Sequence, residues 1–94
     1  MDIISDKPMT YRQILSEISG STVVVGAKRL RKVLNSGAVR RVYLAQDADP
    51  AITEPIITLC QHHDIDFAWV RSMTDLGQAC GIEVGAAAAA AVNR

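Results

Sequence analysis

The sequence predicts a layered α/β sandwich, and three observations carry that prediction. Segments with helical periodicity alternate with short β-branched or aromatic segments; turn signals recur at short intervals; and no linker, repeat or charged tail interrupts the series. Elements in that order bury their apolar faces by stacking helices on a sheet. At 94 residues, 49% hydrophobic and 21% charged, the chain has the size of one domain with a modest core, and its composition excludes a wholly disordered protein.

A first helix is expected over about 10–19, in "TYRQILSEISG". Thr10 and Gln13 stand at capping-box spacing, Tyr11, Ile14, Leu15 and Ile18 form one apolar face, and Gly20 closes it. "TVVV" (22–25) is a β-branched strand, and Gly26 turns the chain into a helix that runs to "NSG" at 35–37. "RRVYLAQ" (40–46) reads as the second strand and "DADP" as a turn. Thr53 then caps a helix in "EPIITLCQHH" whose Pro55 falls in the first turn, where its missing N–H is harmless. "FAWV" (67–70) is the third strand, and Ser72 caps a short helix that ends before Gly81. The six alanines at 86–91 have high helix propensity, but so short a segment is marginal as a helix and lacks a clear N-cap. A fourth strand, small enough to pack between helices on both faces, completes the alternation better.

Cys60 and Cys80 lie in apolar helical contexts without Cys-x-x-Cys spacing, which points to buried free thiols rather than a disulfide framework or a metal site. No apolar run reaches membrane-spanning length, and "MDIISDKPMT" lacks the basic-then-apolar order of a secretion signal. A cytoplasmic protein without membrane contact is expected. Cys60, His62 and His63 sit at one helix end, where their spacing does not converge on a metal and no acid is placed to orient a base. No catalytic residues, cofactor or metal are therefore expected.

Net charge is zero, yet the charges are segregated. Residues 1–46 hold eight basic and three acidic side chains, and residues 47–94 hold two basic and seven acidic ones, so the halves carry +5 and −5. The basic half is densest at "GAKRLRK" (26–32). On a helix, Lys28, Arg29, Arg31 and Lys32 fall within an arc of roughly 160°, with Ala27, Leu30, Val33 and Leu34 opposite. Such a face can be merely solvated. Three features weigh against that: the four charges share one sign, no acid pairs with them at i,i+4, and cations at a helix start oppose the helix dipole. An anionic partner would resolve the conflict, and phosphate would also meet the free N–H groups of Ala27 and Lys28. RNA or DNA is the natural source of phosphate, but the chain lacks both a helix-turn-helix spacing and the aromatic pairs of a base-stacking platform.

"GAKRLRKVLNSGAVRRVYLAQDADP" followed by "LGQACGIEVGAAAAAAV" resembles the bacterial branch of the ribosomal L7Ae family of kink-turn RNA-binding proteins. The resemblance covers a core of about 22–92 within a single domain of 1–94. It implies a three-layer α/β/α sandwich on a four-stranded mixed sheet, with the alanine run as its last strand. It also implies that Gly26, Ala27, Lys28, Arg29 and Lys32, with Arg31 on the same basic face, meet the sheared G·A pairs and nearby phosphates of a kink-turn. Ile82, Glu83 and Val84 would close over an unstacked nucleotide. Implied partners are kink-turn RNA, in ribosomal RNA or a riboswitch, and ribosomal proteins, with the chain a monomer. One departure is visible: archaeal and eukaryotic members similar to this chain carry Asn-Glu at Lys28-Arg29. An arginine offers only donors, suited to guanine O6 and N7 or to phosphate, so base reading must differ. The rival reading is a protein-interaction or assembly module, whose acidic side chains Asp47, Asp49, Asp64 and Asp66 would meet a basic partner.

Overall fold

The computed structural model describes residues 8–92; residues 1–7, including Lys7 of the basic half, and 93–94 lie outside the described residues. The elements are α1 (Tyr11–Ile18), β1 (Thr22–Val25), α2 (Ala27–Ser36), β2 (Val39–Ala45), α3 (Pro50–His62), β3 (Phe67–Val70), α4 (Met73–Ala79) and β4 (Ala88–Val92). The strands form one mixed sheet in the order β1-β4-β2-β3, with β4 antiparallel to both neighbours and β2 parallel to β3. Ile14 and Ile18 of α1 join Leu76 and Ala79 of α4 over one face, and Leu30 and Leu34 of α2 join Ile56 and Cys60 of α3 over the other. The expected three-layer α/β/α sandwich is what the chain forms.

The alanine run is a central strand. Ala88 and Ala90 face α2 and α3, Ala89 and Ala91 face α1 and α4, and all four are fully buried. Helix propensity is overridden because β4 completes two hydrogen-bonded ladders at once, and its methyl side chains let helices approach from both faces. A register shift between Val39 and Arg41 in β2 opposite Val92 and Ala91 leaves Arg40 bulged and exposed. It also lets Val39 and Val42 face the same core.

Two expectations are corrected in α3. The helix begins at Pro50, not after Thr53, and its cap is Asp49, whose side chain accepts a hydrogen bond from the Ala51 N–H at 3.0 Å. Proline at the first helical position behind an aspartate is the stronger start signal, and Thr53 is instead buried in the helix. Pro55 therefore lies inside the helix, where it withholds one backbone donor. The thiols also differ: Cys60 is fully buried, Cys80 only partly, because it closes α4 where the chain turns outward. In α1, Gln13 Oε1 accepts from the Thr10 N–H at 2.9 Å, as the capping-box spacing predicts.

The sheet carries one buried polar anchor. The Tyr43 hydroxyl donates to Glu17 Oε1 at 2.8 Å, and the same oxygen pairs with Arg41 Nη1 at 2.9 Å. Burial, with the neighbouring carboxylate, pushes the Tyr43 phenol up from 10.0 to about 12, and burial alone pushes the Cys60 thiol up from 9.0 to about 11. Both groups are neutral when folded and ionise first in the unfolded chain. Their contribution is therefore complete below the unfolded values and lost as pH rises through the folded ones. Stability should fall beginning near pH 9, where the unfolded thiol ionises, and steepen above 10. Tyr43→Phe should flatten the upper part of that decline, by about 3 kcal/mol at most, in denaturant titrations across the alkaline range. Ala90→Leu, which forces a larger side chain between β4 and α2, should lower stability by about 1–3 kcal/mol at every pH, read from the same titrations.

Candidate nucleic-acid interface

At the end of β1, Gly26 adopts φ +105°, a conformation that side chains rarely tolerate, and turns the chain directly into α2. Its N–H donates to the Ala88 carbonyl at 3.2 Å, and its carbonyl accepts the first bond of α2, from the Leu30 N–H at 2.9 Å. No side chain caps this helix start and no acid lies in its first turn. The N–H groups of Ala27, Lys28 and Arg29 consequently point out of the helix without intrahelical acceptors. Leu30 and Leu34 are buried, while Lys28, Arg29, Arg31 and Lys32 are exposed, and among the described residues none of the four enters an ion pair.

The loop between α4 and β4 reaches the same end of the sheet. Ala88, which accepts from Gly26, is its exit, and the preceding Ala87 carbonyl accepts from the Ala45 N–H at the end of β2 at 2.9 Å. The loop is folded back onto α4: Ile82 N–H donates to Gly77 O and Ala86 N–H to Met73 O, each at 3.0 Å. A side chain at Gly77 would collide with the Val84 carbonyl, so glycine is required there by close backbone approach. Gly85 is similarly tight, its would-be Cβ lying 3.1 Å from Met73 Cβ. Glu83 and Val84 are exposed, Val84 at 71%, making it the most exposed large apolar side chain among the described residues. Ile82 differs from its two neighbours: it is half-buried and packs against the α1/α4 core, so part of its apolar surface is already covered.

The "DADP" turn sits at this end as well. Asp49 caps α3, and Asp47 Oδ1 accepts from the Met73 N–H at 2.8 Å, tying the β2–α3 turn to the start of α4. Ser72 Oγ caps α4 through the Asp75 N–H at 3.0 Å. Arg71, exposed at the same end, pairs with the largely buried Asp75 at 2.9 Å. Arg40 and Arg41 of the N-terminal half are engaged elsewhere: Arg40 donates to Ser21 Oγ at 2.6 Å and Arg41 to Glu17, whereas the four cations of α2 lack protein acceptors among the described residues. Away from this end, His63 Nε2 lies 3.3 Å from Asn35 Oδ1, joining the C-terminal ends of α3 and α2. Sequence reasoning missed Gly77 and Asp47. Both lie inside the motifs carrying the resemblance, but only the close approach of Val84 and the Met73 N–H explain their identity.

The fold thus places an exposed, uncapped helix start bearing four cations beside the exposed Glu83–Val84 loop, on an α/β/α sandwich. The chain matches the Ribosomal protein L7Ae/L30e/S12e/Gadd45 family over residues 12–94 and belongs to it. A Bacillus pumilus protein named "RNA-binding protein" is 45% identical over 69 residues, covering 73% of this chain and 84% of that protein. A Geobacillus protein of the same designation is 38% identical over 85 residues, covering 90% of this chain and 100% of its own length. The solved "Giardia lamblia 15.5kD RNA binding protein" superposes with a TM-score of 0.80 at 22% identity, over 100% of this chain and 85% of that one, a likeness of fold. Gly77→Ala provides a test of how the loop is held. The substitution should cost about 1–3 kcal/mol and shift the amide resonances of residues 82–86 more than those of 27–32.

Proposed function

We propose that this protein binds RNA at kink-turns, in a cytoplasmic ribonucleoprotein setting such as ribosomal RNA or a riboswitch, and that it acts through binding alone. The observation that carries this reading is the start of α2. Ala27, Lys28 and Arg29 offer unsatisfied N–H groups there, and Lys28, Arg29, Arg31 and Lys32 offer charge with no acidic counterpart among the described residues. Phosphate oxygens satisfy both needs at once. Gly26 permits close backbone approach, and Glu83 and Val84, with the exposed part of Ile82, supply a loop that can cover an unstacked nucleotide. The RNA-binding designation of the Bacillus and Geobacillus relatives supports the same reading. The competing protein-interaction reading is weakened by two of its four acids: Asp47 and Asp49 are occupied as helix-start acceptors.

Lys32 lies one turn into α2, and its flexible ammonium suits a phosphate. Arg29, nearer the helix start, has a planar fork that can hold a guanine edge at two points. If α2 makes about three phosphate contacts, affinity for a kink-turn duplex should fall roughly 20- to 60-fold between about 50 and 200 mM salt. An affinity indifferent to salt would refute the α2 interface. Lys32→Ala should weaken binding to kink-turn and straight duplex alike and reduce the salt slope by about one. Arg29→Ala should lose about 1–3 kcal/mol of kink-turn preference over straight duplex. Paired binding isotherms for each variant distinguish the outcomes. An unchanged affinity ratio in Arg29→Ala would leave that residue a phosphate anchor and move discrimination to the 82–84 loop.

A further inference from the structure

On one side the sheet ends at β1, which pairs with β4 alone. The Gly26 N–H, bonded to Ala88 O at 3.2 Å, fixes which backbone groups of this strand point inward. Antiparallel ladders alternate, so Thr22 and Val24 also turn toward β4, while Val23 and Val25 turn their N–H and C=O groups outward. Among the described residues nothing bonds to Val23 or Val25 on that side. The described chain begins at the opposite edge, where Met9 pairs with Val70 of β3, and it ends in β4, inside the sheet. No charge, proline or bulge shields β1, and its three valines are only half-buried.

The two faces of this edge differ. Val23 and Val25 pack toward α1 and α4, which leaves Val24 on the α2 side. Asn35 of α2 meets His63 of α3 at 3.3 Å, so the flank of α2 that carries Asn35 and Arg31 faces α3. Arg29 lies roughly 160° around the helix from Arg31, on the flank toward β1, and Lys32 follows it one turn on. Both are exposed and neither enters an ion pair among the described residues. Neither β1 nor α2 contains an acid.

We propose that the β1 edge docks an extended segment of a partner protein, added antiparallel, with apolar side chains opposite Val23 and Val25 and an acidic one opposite Val24, toward Arg29 and Lys32. The outward N–H and C=O groups require a polypeptide backbone, because strand addition satisfies both kinds at the spacing of the ladder. The two cations select for an acid on the α2 side of that strand. A second copy of this chain is the wrong partner, since pairing β1 with β1 would set two basic α2 flanks side by side and bring no acid to either. The docking goes beyond RNA binding and does not rest on it.

The test titrates the isotopically labelled full chain with a capped synthetic peptide of threonine, valine, glutamate, valine and threonine in that order. Amide resonances of Val23 and Val25 should move and gain exchange protection, while those of Phe67 and Trp69 at the other edge stay. Glutamine in place of the glutamate, or Arg29→Gln in the protein, should weaken binding up to about fivefold. N-methylation of both peptide valines, whose N–H groups meet the outward carbonyls, should abolish binding; N-methylation of the glutamate, whose N–H faces away, should be tolerated. Three results would overturn the proposal: equal binding of the peptide with N-methylated valines; strong exchange protection of the Val23 and Val25 amides in the free protein, which would mean the edge is already covered; or movement of those amides when the protein alone is concentrated but not when peptide is added, which would make a second copy the occupant.

Discussion

Both helical layers close onto the sheet through a strand that carries nothing larger than a methyl group from Ala88 to Ala91. Because β4 lies between β1 and β2, its thinness sets how deeply α2 and α4 seat on opposite faces. Leu30 and Leu34 reach the sheet on one side, Leu76 and Ala79 on the other, without competing for the same volume. The strand also fixes the interface. Its first residue holds Gly26 at the start of α2, and the loop entering it is the one that presents Glu83 and Val84. A bulkier β4 would move the basic helix and the apolar loop apart, so core packing and ligand geometry are one constraint here.

The proposed interface rests mainly on backbone. Gly26 supplies the turn, Gly77 gives way to the Val84 carbonyl, and the N–H groups of the first turn of α2 supply the donors. The side chains that α2 adds to it are four cations, and they stand where the helix dipole disfavours them. The structure tolerates this unfavourable placement because solvent screens exposed charge and the buried side of α2 is wholly apolar.

Much of this was legible in the sequence, for identifiable reasons. The β-branched run at 22–25, the segregation of Lys28, Arg29, Arg31 and Lys32 from Leu30 and Leu34, and the glycines flanking α2 are local signals with local causes. The alanine strand was readable only by weighing nucleation cost and layer packing against propensity. What escaped depends on contacts far apart in sequence or on rival local signals. Whether Asp49 or Thr53 caps α3 was decided by competing start signals within a few residues, and the proline pairing at Asp49-Pro50 prevailed. The charge asymmetry overstated the basic surface, because Arg40 and Arg41 reach Ser21 and Glu17 about twenty residues away, contacts that no periodicity reveals. The half-burial of Ile82 was equally out of reach: its neighbours face solvent while it packs onto the α1/α4 core. Nothing local to Gly77 shows the Val84 carbonyl that packs against it.

The turn at residues 46–49 gives two helices their first acceptor. Asp49 begins α3, and Asp47, two residues earlier, receives the opening N–H of α4 from across the sheet. Such a turn behaves less like a connector than like a hinge pin shared by two doors. Lengthening it by one residue would leave only one of the two aspartates in place, whichever way the extra residue fell. In most small domains surface connections are where insertions accumulate. In this chain that freedom is forfeited at the 46–49 turn, because an added residue there would uncap one of two helices.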